Sequence, residues 1–115
     1  MEEQYHALIV EIYNNFNQRN IPEILKHMKA DVLWPNAWEG GFVKGHDEVA
    51  AYWTRQWKEI DPQVDPVTVE TLEPGKIEVQ VHQVVKDFTG KVLFDGMVKH
   101  VYTFRDDLIQ AMEIV

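Results

Sequence analysis

The 115-residue chain has no cysteine. Disulfides, thiol nucleophiles and cysteine-ligated metal are therefore excluded, while the compartment is left open by this count. Positive charge is scarce: Lys and Arg number 11 against 19 Asp and Glu, a net charge of −8. Such a surface repels a phosphate backbone, and no basic run offsets it, so nucleic acid is not an expected partner. Long apolar runs are missing too. None reaches the ~20 residues that a membrane-spanning helix needs, and the opening MEEQYHALIV is acidic, without the apolar core of a secretion signal. No membrane contact is expected, and a cytoplasmic location is the default. The five histidines never fall at HxH or HxxxH spacing, so no metal site is expected. With no repeat, low-complexity tract or linker, the expectation is one domain over 1–115, large enough to need no staple.

What is present is periodicity. From Glu2 to about Gln18, Tyr5, Leu8, Ile9, Ile12, Tyr13 and Phe16 recur at three- and four-residue steps, one stripe of an amphipathic helix. RNIPEILKHM starts a short second helix, capped by Asn20 with Pro22 in the first turn. A short strand is expected at Val32–Trp34, a break at Pro35, and another short strand after Gly40-Gly41. HDEVAAYWTRQWKEI reads as a third helix with acidic residues in its first turn, and DPQVDP as an extended connector. Strands follow at Val67–Leu72, Lys76–Lys86, Lys91–Phe104 (with an irregularity at Asp95-Gly96) and Leu108–Val115. Helices followed by a meandering sheet make an α+β domain. If the sheet curls around the helices, the result is a cone whose mouth is a natural ligand cavity.

Alternation on the strand MVKHVYTF places His100 in one file with Val98, Tyr102 and Phe104. Either this ring is a core histidine satisfied by a neighbour, or it presents a donor or general base to a ligand near neutral pH. His82 alternates with Glu78 and Gln80, which points it to solvent unless a bend near Val84-Val85 turns it into the cavity. Met112 and Ile114 suit cavity wall and plain core equally. Trp34, Trp38, Trp53 and Trp57 are first a source of core burial, Trp57 most of all. Asp31, Asp106 and Asp107 suit caps and turns, and Glu113 should point away from Met112 and Ile114. Ile77, Val79 and Val81, with Met97 and Val101, are expected on the outer face of the sheet, and covering that face with a twofold mate predicts a homodimer.

ILKHMKADVLW, GHDEVAAYW opening the third helix, and the closing HVYTFRDDLIQAMEIV follow one another in the order helix–helix–strand–helix–sheet. In these the chain resembles the nuclear transport factor 2-like (NTF2-like) superfamily, and within it the SnoaL-like branch of polyketide cyclases and ketosteroid isomerase. The resemblance spans essentially the whole chain. It implies a cone of three N-terminal helices packed on a strongly curved, mixed but mostly antiparallel sheet, and association as a homodimer. It also implies that His100 stands where the isomerase has its oxyanion-hole acid, and Asn36, within a residue or two, where it has its base. Tyr13 or Ile12 falls at the oxyanion-hole tyrosine, and Trp34 and Trp53 on the cavity wall; Trp38, by its own place in the sequence, is expected in a loop over the mouth. An amide cannot take a proton, so steroid isomerisation by that mechanism is not expected.

Two functions remain open at the level of sequence. In one, the cavity binds a small, largely apolar molecule with a carbonyl or hydroxyl and turns it over without a cofactor, as an isomerase, cyclase or dehydratase would. His100 then acts as acid/base or donor, Tyr13 and Tyr102 orient, and Trp34, Asn36, Trp53, Trp57, His82 and Met112 complete the wall. In the other, the domain is a non-catalytic ligand sensor or dimeric interaction module and His100 is structural.

Overall fold

The computed structural model describes residues 2–36 and 40–115; Trp38 lies outside them. The chain runs α1 (Glu2–Asn17), α2 (Ile21–Leu25), β1 (Met28–Pro35), β2 (Phe42–Lys44), α3 (Gly45–Glu59), β3 (Asp61–Glu73), β4 (Lys76–Lys86), β5 (Val92–Arg105) and β6 (Leu108–Ile114). Two helices precede the first strand and α3 follows β1 and β2, the expected order helix–helix–strand–helix–sheet. The α1 stripe buries Ile9, Ile12 and Tyr13, and α3 buries Val49, Tyr52 and Trp53. Both pack on one six-stranded mixed sheet of order β2-β1-β6-β5-β4-β3. The β1–β6 pair is parallel and the others are antiparallel. Rings fill the space between the layers: Trp34 and Trp53 meet edge-on at 5.4 Å, and Trp34 and Tyr102 lie 6.1 Å apart. Covering the helical stripes therefore does not depend on the strong curl expected of the sheet. Among the described residues no helix is long and apolar enough to cross a membrane.

Two boundaries differ from expectation, each through a contact between distant parts of the chain. β1 begins at Met28 rather than Val32 because Met28 pairs with Ile109 of β6, four positions before any local strand signal. β3 begins at Asp61, absorbing DPQVDP, because Pro62 and Pro66 sit on the edge strand. β3 pairs on one side only, where a missing N–H leaves no gap in the ladder.

The largest correction comes from one residue. β4 and β5 pair Lys86 with Val92 beside the hairpin turn, but Val85 with Phe94, so Leu93 is a single-residue bulge. Asp95 and Gly96, where the irregularity was expected, pair regularly with Val84 and Gln83. One inserted residue exchanges the faces of everything beyond it. Without it Glu78 would oppose His100; with it Val79 does, and Ile77 opposes Tyr102. Ile77, Val79 and Val81 are thus core residues at 0% exposure, not the outer apolar face assigned to them. The outer face instead carries the Glu78–Lys99 pair (3.6 Å) and the His82–Asp95 pair (2.7 Å) beside exposed Met97.

Candidate functional site

Tyr13 projects from the buried stripe of α1 towards the inner file of β5, which supplies His100 and Tyr102. The Tyr102 hydroxyl lies 2.8 Å from that of Tyr13, which lies 2.7 Å from His100 Nδ1. All three residues are buried, Tyr102 at 0%, Tyr13 at 4% and His100 at 7% exposure. Burial pushes the His100 imidazole down to about 4. Burial also raises the Tyr102 hydroxyl, and with Tyr102 beside it the Tyr13 hydroxyl rises well above its usual range. At neutral pH the three form an uncharged chain.

Donor counting orients that chain. Were His100 to donate from Nδ1 to Tyr13, and Tyr13 to Tyr102, the Tyr102 proton would be stranded in the core, where an unpaired donor costs about 1–3 kcal/mol. Reversed, Tyr102 donates to Tyr13 and Tyr13 to Nδ1, and the one donor left over is the Nε2–H of a ring 7% exposed on the cavity wall rather than the hydroxyl of a residue at 0%. The imidazole proton then sits on Nε2. Among the described residues nothing else bonds this ring, and His100 lines the cavity between helices and sheet.

The cavity measures about 80 Å³. Since one water needs roughly 10–15 Å³ on such a scale, it admits a body on the order of one six-membered ring. That is far below the ~300 Å³ at the small end of sites for drug-sized ligands. Of the candidates named from sequence, His100, Tyr13, Trp34, Trp53, Tyr102 and Met112 come together in its wall. Three do not. Asn36 is buried at the turn after β1, where its N–H donates to Gly41 and its carbonyl accepts from Gly40, outside the wall that neighbouring Pro35 joins. Trp57 stacks behind Trp53 at 5.7 Å and under the Arg19 guanidinium, supporting the wall without facing the cavity. His82 is on the outer face with Asp95, because the bulge sets the parity of its strand.

Sequence reading missed Phe16, Tyr52, Gln56, Pro62 and Gln83, all in the wall. The signal for Gln83 was its file with Ile77, Val79 and Val81; only the bulge reveals that this file faces inward. Among the described residues the wall contains no carboxylate, and no cluster of side chains suited to a metal ion occurs.

The family model described as the SnoaL-like domain matches residues 9–112. The chain belongs to that family. No curated protein matches the sequence of this SnoaL-like domain. Among solved structures it is similar to an NTF2-like protein of unknown function from Burkholderia pseudomallei, at 23% identity and a TM-score of 0.83, covering 96% of this chain and 88% of that one. It is similar also to TerC co-crystallized with polyporic acid, at 21% identity and a TM-score of 0.83, with the same coverage of 96% and 88%. A third is RV0760c from Mycobacterium tuberculosis in complex with estradiol-17β-hemisuccinate, at 18% identity and a TM-score of 0.78, covering 94% and 91%. At these identities the likeness shows the shared NTF2-like fold.

Proposed function

We propose that this SnoaL-like domain binds a small, largely apolar molecule by an oxygen, carbonyl or hydroxyl, that accepts the Nε2–H of neutral His100. The donor order of the Tyr102–Tyr13–His100 chain carries the reading, because it leaves one unused N–H on the cavity wall. A donor held in a desolvated wall gains strength from the low local dielectric. Trp34 and Trp53 supply apolar wall for the ligand body, and the cavity volume favours a single-ring compound over a multi-ring one such as the RV0760c ligand. The bound small molecules of two structural relatives support a binding role for the cavity.

Binding is favoured over proton abstraction. A general base works best with its pKa near the operating pH, whereas His100 is held at about 4 and its Nε2 already carries a proton. The same N–H polarises a carbonyl, and that favours as second reading a cofactor-free isomerase, cyclase or dehydratase step in which substrate or water supplies the base. A homodimer through the outer face is no longer needed to bury Ile77, Val79 and Val81, which already lie in the core.

Calorimetric titration with acetophenone tests the reading. A neutral hydrogen bond contributes about 0.5–1.5 kcal/mol, so His100→Leu should weaken binding roughly three- to tenfold while circular dichroism shows a folded chain. Equal affinity in the folded variant would contradict the role given to His100.

A further inference from the structure

Gln83 is a polar side chain in an apolar file. The inner-face positions of β4 run Ile77, Val79, Val81, Gln83 and Val85, and the first three are fully buried. Gln83 lines the same cavity as His100 but is only half-buried, which puts it towards the mouth while His100 lies deep. Among the described residues its carboxamide has no hydrogen-bond partner. Directly opposite on β5 stands Gly96, so no facing side chain competes for the amide, and the Phe94 ring lies where a Cβ at Gly96 would come within 3.1 Å of it. On the other side Gln83 faces Val64 of β3, whose backbone is clamped by the Asn17 side chain. The amide therefore stands in the cavity wall with its hydrogen-bonding capacity unspent.

Spacing suggests what would use it. His100 opposes Val79, and Gln83 is four positions further along β4. Four residues of strand and one strand spacing separate the two by about 14 Å. That is a backbone separation; both side chains project inward from one face, so their polar ends stand a comparable distance apart, and subtracting a hydrogen bond of about 2.9 Å at each end leaves about 8 Å between the two polar atoms of a bridging ligand. That is the span between polar groups placed para on a six-membered ring, and the cavity has the bulk of one such ring.

We propose that the ligand is two-ended: a single-ring carbonyl compound whose carbonyl meets His100 and whose para substituent, a second hydrogen-bonding group, is read at the mouth by Gln83. This rests on the role given to His100 above. The test is calorimetry with two compounds of similar shape, 4-acetylbenzamide and 4-isopropylacetophenone, on wild type, Gln83→Leu, Gln83→Met and His100→Leu. Gln83→Leu and Gln83→Met should lower the preference for 4-acetylbenzamide over 4-isopropylacetophenone by about tenfold, with 4-acetylbenzamide itself binding more weakly than to wild type. His100→Leu should weaken both compounds alike. A preference unchanged by both Gln83 substitutions overturns the two-ended ligand and leaves the His100 reading standing. Failure of wild type to bind either compound overturns the His100 reading and this inference with it.

Discussion

In water a histidine is half protonated near pH 6.5; in the fold, burial lowers that midpoint for His100 to about 4. Between the two values the unfolded chain holds a proton that the folded chain refuses, so stability rises with pH in that window. Above about 6.5 both states are neutral and His100 imposes no penalty. As pH falls from there to about 4 the folded state loses on the order of 3 kcal/mol. The chain carries four other histidines, so the quantity to measure is a difference. Urea unfolding of wild type and His100→Gln from pH 7 to pH 4 should give the steeper decline in wild type. Parallel curves would mean that the imidazole is not desolvated as described.

At the scale of elements, α1 is fastened to the edge of the sheet by side chains that imitate a further strand. Asn17 donates to the Val64 carbonyl at 2.7 Å and accepts the Val64 N–H at 2.9 Å, and Arg19 binds Asp61 and the Pro62 carbonyl. Phe16, Pro62 and Val64 are all cavity wall, so this fastening holds the site's shape as well as the edge. Asn17→Ala should cost about 1–3 kcal/mol for the groups left unpaired, and hydrogen exchange should quicken at the Val64 amide first. Uniform exchange would mean the clamp is not local. How far the chain could be read in advance follows the same division between local and distant. The α1 and α3 stripes and the alternation of β4 are local patterns, and they stand where periodicity put them. That His100 and Tyr102 share a face followed from the two-residue period; that this face points inward was implied by the family resemblance. The start of β1 needed β6, and the strand character of DPQVDP needed an edge position; neither partner is within reach of a local window. The faces of β4 depended on the Leu93 bulge, which no composition signal marks, and its one-residue shift moved Ile77, Val79, Val81 and Gln83 inward; His82 stands outward, where its alternation with Glu78 and Gln80 pointed it. Asn36 was carried over from a related site by position, and here its backbone serves a turn.

The whole molecule combines a net charge of −8 with a small apolar cavity whose polar groups, among the described residues, are all uncharged at neutral pH. That field disfavours anionic ligands, and the cavity offers no cation to offset it. The apolar ring residues Phe88 and Phe94 are exposed on the β4–β5 hairpin and its strand, beyond the core. One proton is central to this reading: Nε2–H of His100, held there by two tyrosines and directed at a neutral ligand's oxygen. Long-range proton–nitrogen correlation spectra of ¹⁵N-histidine-labelled protein at pH 7, titrated with acetophenone, observe it directly. The expected result is a neutral ring protonated at Nε2 before addition, and a downfield shift of that proton as the carbonyl binds. A ring protonated at Nδ1, an imidazolium, or an Nε2–H signal that does not move while the ligand binds would contradict it.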